Sequence, residues 1–168
     1  MVHFLQSVGL LFFGSRLKRI SDSFLLDVNK VYQNLGIPFE AAWFPVFFIL
    51  SQKRQVAIRE IAEKLGISHS AASQMVSNLQ ERGLIESAVD EDDARKKLVT
   101  FTAEGAALLL RVEPVWEALQ EAMEQLMAEG EHSQKILDAL CDIENSIRQQ
   151  SVLERVETQL KQKAAGVL

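Results

Sequence analysis

Apolar residues recur at steps of three and four from early in the chain, at Leu10, Phe13, Leu17, Ile20, Phe24, Val28, Val31 and Leu35. That period is the stripe of an amphipathic helix, and it predicts one long helix from about Ser7 to Leu35, stopped by Gly36 with Pro38 beyond. A second helix is predicted over Glu40 to Ser51, where Pro45 is tolerated in or near the first turn. After a basic polar connection, "SQKRQ", the stretch "VAIREIAEKLG" sets Ile58, Ile61, Ala62 and Leu65 on one face and ends at Gly66, which suits a tight interhelical turn. "ISHSAASQMVSNLQERG" predicts the next helix, with Ser68 as N-cap, Ala72, Val76 and Leu79 inward, and Gly83 as the stop. Two short helices joined at a glycine make a helix-turn-helix, whose second helix is the one that enters a major groove.

The period then changes. "LIESAV" alternates as a strand, "DEDDARK" is a polar tip and "KLVTF" is a return strand, so a hairpin follows the helix-turn-helix as a wing. Thr102 is predicted to cap the next helix, with Glu104 near its first turn, where the helix dipole favours negative charge. This helix runs to about Glu129, and Pro114 inside it predicts a kink near residues 110 to 114. A last helix is expected from Glu131 to Lys163, with Ile136, Leu140, Ile143 and Ile147 in coiled-coil-like steps, a polar break at "RQQS", and a resumed stripe at Leu153, Val156 and Leu160. One compact winged helix cannot bury all of that stripe, so a partner chain is expected. The predicted class is mainly α with a small β-hairpin.

Composition narrows the function. The 168 residues suit one domain, and 48% apolar with 24% charged residues argues against long disorder. The single Cys141 rules out an internal disulfide and fits a reducing compartment, so a cytoplasmic setting and a buried structural thiol are expected. "VGLLFFG" lacks the basic flank of a signal peptide, and "AAWFPVFFIL" is short for a membrane span, so no membrane partner is expected. His3, His69 and His132 have no ligand spacing, so neither metal nor cofactor is expected. The motifs of dinucleotide, phosphate, zinc-peptidase and serine-hydrolase sites are missing, so an enzyme is not expected. The net charge of −5 looks adverse to nucleic acid, but from Gln52 to Lys97 bases and acids are equal, eight of each. A locally positive DNA-facing surface is compatible with that balance.

The outward side of the predicted recognition helix carries Ser68, His69, Ser70, Ser73, Gln74 and Ser77. It holds no Lys or Arg from Ser68 to Gln80, which moves readout away from guanine and toward Gln74 with adenine, serine hydroxyls and duplex shape. In the wing tip, Asp93 stands two residues before Arg95, with Lys96 next to it. Either this is a solvated turn with an incidental ion pair, or Asp93 orients Arg95 into a minor groove, whose negative potential attracts a guanidinium.

The span from about Val56 to Gly105 resembles the winged helix-turn-helix of the MarR family of bacterial transcription regulators, with Asp93, Arg95, Leu98, Thr102 and Gly105 in register with that family's wing signature. The resemblance extends more loosely over nearly the whole chain. It implies a homodimeric regulator that binds pseudo-palindromic double-stranded DNA, with a winged helix-turn-helix (residues 41–101) embedded in a helical dimerisation region (residues 1–40 and 102–168), all within one structural domain. The candidate dimer residues are Leu10, Leu17, Ile136, Leu140, Ile143 and Ile147. A small-molecule effector is a further expected partner, and Phe13, Trp43, Phe47 and Trp116 are its candidate pocket, with plain core packing as their other reading. The alternative function is a helical protein-interaction module whose winged helix no longer reads DNA.

Overall fold

Helices account for most of the chain, and several begin or end at a capping side chain, a proline or a glycine. The computed structural model describes Phe4, residues 7–89 and residues 97–166. In chain order the elements are α1 (Phe13–Asn34), α2 (Phe44–Gln52), β1 (Val56–Ala57), α3 (Ile58–Leu65), α4 (His69–Glu81), β2 (Ile85–Val89), β3 (Lys97–Phe101), α5 (Ala103–Ala128), α6 (Ile136–Gln149) and α7 (Val152–Ala165), with short 3-10 turns before α1, α2 and α6. The chain divides into two compact units, residues 1–115 and 116–168.

In the first unit, α1 is shorter than its stripe suggests, because Gly9–Phe12 form a 3-10 turn and the α-helix starts at Phe13. It stops as predicted: Gly36 takes φ of 62°, open to glycine without strain. Pro45 falls in the first turn of α2, where its missing N–H costs no helical bond. An aromatic cluster binds the end of α1 to α2 and the sheet. Phe39 meets Tyr32, Trp43 and Phe47 at ring-centroid distances of 4.9, 5.5 and 5.0 Å, and Phe47 meets Phe101 at 4.9 Å.

The sheet is antiparallel in the order β1-β3-β2, with Val56 and Ser87 both opposite Val99. Strand β1 differs from the sequence reading, which took Val56 and Ala57 into the following helix. Two residues are too few to show alternation, and these become a strand only by pairing with β3, which buries Val56 and Val99 together. Ile61, Ala62, Ala72, Val76 and Leu79 are buried, so the inward faces of α3 and α4 are close to those predicted.

In the second unit, the single helix expected from Glu131 to Lys163 is two helices. Gln150 is extended (φ −148°, ψ 117°), and Ser151 opens α7 with a capping box: its hydroxyl accepts from Glu154 N–H while the Glu154 carboxylate accepts from Ser151 N–H. The polar break in the stripe is therefore a helix end, since the cap satisfies donors that a continuous helix would have bonded to its own carbonyls. The unit's last α5 residues, α6 and α7 hold no fully buried side chain, and Leu126, Leu137, Ile147, Leu153 and Leu160 are exposed. Cys141 is also exposed within one chain, in contrast to the buried thiol expected from its apolar neighbours. No helix among the described residues is long and apolar enough to cross a membrane.

Candidate nucleic-acid interface

Helix α4 is held at three points by local chemistry. At its start, Gly66 closes α3 in the left-handed conformation (φ 63°), and the Ser68 hydroxyl accepts from Ala71 N–H at 3.2 Å. At its end, Gly83 turns the chain with φ of 71°, and Arg82 donates to Asn78 Oδ1 at 3.1 Å. Across its length, the Gln80 amide donates to the Ser87 hydroxyl of β2 at 3.0 Å, which fixes the helix against the wing.

The outward residues fall into two rows. His69, Ser73 and Ser77, four residues apart, face a groove of about 670 Å³ that is also lined by Ala57, Arg59, Gln80, Ser87 and Lys97. Ser73 lies 3.5 Å from His69 Nδ1. Ser70 and Gln74 stand on the other side and are exposed, and Ser70 shares a 3.0 Å hydroxyl contact with the capping Ser68. Ser68 therefore serves the helix first, through its bond to Ala71. Among the described residues no acidic side chain lines the groove, whereas Arg59 and Lys97 both do. Arg59 is shared with Glu63 at 2.8 Å, while Lys97 makes no ion pair among the described residues. Lys97 is therefore the unpaired cation of the described lining, in a chain that carries −5.

Arg59, Gln80, Ser87 and Lys97 belong to this surface and were not singled out from the sequence. The signal for Lys97 was its place in the basic run "RKK"; for Gln80 and Ser87 the groove depends on strand pairing that the pattern alone cannot give. Asp93, Arg95 and Lys96 lie outside the described residues. The base of the wing is firmly built. Thr102 caps α5 by accepting from Gly105 N–H at 3.0 Å, and its hydroxyl donates to the Gly83 carbonyl at 2.6 Å.

The four residues expected to line an effector pocket have separate roles. Phe47 is a core ring with no exposed surface, which corrects its assignment, because the Phe39 and Phe101 rings cover it. Trp43 lines a different cleft in the first unit, Phe13 is exposed at the start of α1, and Trp116 belongs to the second unit. Of the candidate dimer residues, Leu10, Leu17, Ile136 and Ile147 are exposed, and Leu140 and Ile143 are half-buried.

Residues 35–96 match the sequence profile of the MarR family. The HTH-type transcriptional regulator Hpr of Geobacillus sp. (strain WCH70) is 27% identical over 114 residues, which are 66% of this chain and 56% of that protein. The match thus spans little more than half the length of this relative. Among solved structures, MepR of S. aureus in complex with DNA superposes with a TM-score of 0.67 at 17% identity, covering 80% of this chain and 97% of MepR. The PcaV transcriptional regulator of Streptomyces coelicolor, solved in complex with its natural ligand, gives a TM-score of 0.59 at 19% identity, covering 82% of this chain and 92% of PcaV.

Proposed function

We propose that this chain, whose residues 35–96 match the MarR family profile, is a DNA-binding transcriptional regulator of that family, acting in the cytoplasm as a homodimer on a pseudo-palindromic operator. The observation that carries the reading is the groove beside α4, whose described lining includes Arg59 and Lys97 and no acid, in a chain of net negative charge. Phosphates supply most of the non-specific affinity for a duplex, so a positive groove flanking an exposed polar helix face suits an element that docks along one.

In this reading α4 enters the major groove. Gln74, Ser70 and His69 meet base edges, Ser73 and Ser77 act from the groove side, and Ser68 holds the helix start. Arg95 of the wing tip enters the adjacent minor groove with Asp93 orienting it and Lys96 near the backbone. Residues 41–101 do the reading. The flanking segments, 1–40 and 102–168, pair two copies so that their α4 helices meet successive major grooves about 34 Å apart. Support for pairing comes from the apolar side chains left exposed on α1 and α6, including Leu17, Ile136 and Ile147. The ligand complex of PcaV supports control by a small-molecule effector.

The test is a titration of the full chain onto duplexes selected from random sequence, at several salt concentrations. A steep loss of affinity with salt is expected, since each neutralised phosphate releases a counterion. Binding without a salt slope, or no selected sequence at all, would transfer the chain to the protein-interaction reading.

A further inference from the structure

A second cleft, of about 640 Å³, lies at the base of α4, between the end of α1, the turn into α2 and the opening turns of α5. Its volume is that of a small-molecule site. Phe39, Trp43, Leu84 and Leu108 give it an apolar floor, and all four are buried. Its rim carries two bases and two acids, Arg82, Arg111, Glu40 and Glu104.

These four are not equally engaged. Arg82 is committed on three sides: its guanidinium lies 4.7 Å over the Trp43 ring, Nη2 is 3.2 Å from Glu40, and Nε donates to Asn78. Arg111 donates one bond among the described residues, from Nη2 to the Gly36 carbonyl at 2.8 Å, which leaves most of its five donors without a partner there. Glu104 makes no hydrogen bond or ion pair among the described residues. Glu104 and Arg111 are seven residues apart on α5, close to two turns, so both lie on one helix face about 10 Å apart along its axis, with Leu108 between them.

We propose that this cleft binds a small amphipathic zwitterion, its carboxylate on Arg111, its ammonium group at Glu104, and its apolar body over Leu108 and Trp43. Charge balance selects the class. With Glu40 and Arg82 paired to each other, a simple anion gains Arg111 but meets Glu104, and a simple cation gains Glu104 but meets Arg111. Only a molecule with both signs is matched at both ends, and the arginine fork adds the geometry of carboxylate recognition. The occupant would touch Arg82, which ends the recognition helix. Its role as an effector therefore rests on the DNA-binding reading, while its binding does not.

The probe is 4-(aminomethyl)benzoate, with benzoate and benzylamine as single-charge comparators. Each is titrated into the full chain without DNA, by calorimetry and by NMR of the indole N–H signals of the chain's two tryptophans, Trp43 and Trp116. The zwitterion should shift the Trp43 signal and bind at least about tenfold more tightly than either comparator, as expected for one added charge-assisted pair. Glu104→Gln should lower zwitterion affinity about tenfold while improving that of benzoate, and Arg111→Gln should lower both. Arg111→Lys, which keeps the charge and loses the fork, should fall between. No Trp43 shift at millimolar probe, equal binding of benzoate, or variants indistinguishable from wild type would overturn the assignment. Such a failure leaves DNA binding standing, whereas intact probe binding in a chain that selects no duplex would overturn the DNA reading alone.

Discussion

A carbon atom added at Gly105 would lie 1.8 Å from the Leu84 carbonyl oxygen, the same oxygen that accepts from Thr102 N–H at 3.2 Å. The start of α5 and the first residue after Gly83 are therefore pressed together backbone to backbone, and only glycine fits. The obstacle is main chain rather than a flexible side-chain end, so it cannot swing aside. Gly105→Ala should destabilise the chain by about 3 kcal/mol, the upper end of the overpacking range. Urea unfolding checks this, and an unchanged midpoint would mean that the junction yields easily.

Lys97 opens β3 on the groove side of α4 and has no ion-pair partner among the described residues. Lys97→Ala should weaken binding about equally on all duplexes and reduce the slope of log affinity against log salt by about 0.9, one phosphate contact. Titration at low and physiological salt measures it; an unchanged slope would remove Lys97 from the interface.

Gln74, exposed on the outer row of α4, is the longest polar side chain there and can pair with adenine N6 and N7. Gln74→Ala should relax preference at one base pair per half-site, worth about 1 to 3 kcal/mol of discrimination, with little change in salt slope. Selection from random duplexes tests both parts. Recovery of the wild-type sequence preference would show that another residue reads that position.

Much of this was legible in the sequence because local signals and tertiary demands agreed. Gly66, Ser68, Gly83 and Thr102 act as the turns and caps their types suggested, and the buried stripe of α4 is Ala72, Val76 and Leu79. Illegible features were those that exist only through distant contacts. Strand β1 needs β3, and the groove needs Ser87 beside Gln80. The need for Gly105 lies in its approach to Leu84, across the wing in sequence. Phe47 carried two readings because an aromatic at helical spacing reads alike as floor of a pocket or as core, and only the ring contacts separate the two. The helix end at Gln150 was visible as polar residues, but the stripe on either side suggested continuity.

That helix end has a pH dependence of known sign. The Ser151 hydroxyl and then the Ser151 N–H hold the Glu154 carboxyl below its ordinary value of 4.5. A carboxyl whose value is lowered on folding contributes stability that is fully present above its unfolded value and is lost as pH falls through the folded one. The capping box should accordingly support α7 at neutral pH and release it progressively as the pH drops below about 4.5. In an NMR titration Glu154 should begin to protonate only at lower pH than an exposed, unbonded glutamate. Ser151→Ala, which leaves the backbone N–H in place, should move it toward the ordinary range and loosen the first turn of α7 at neutral pH, seen as faster amide exchange at Glu154 and Arg155. Glu154→Gln keeps an acceptor for Ser151 N–H while removing the charge, so it should hold the turn better than Ser151→Ala and abolish its local pH response. Identical titration of Glu154 in wild type and Ser151→Ala would mean that the box does not form in solution.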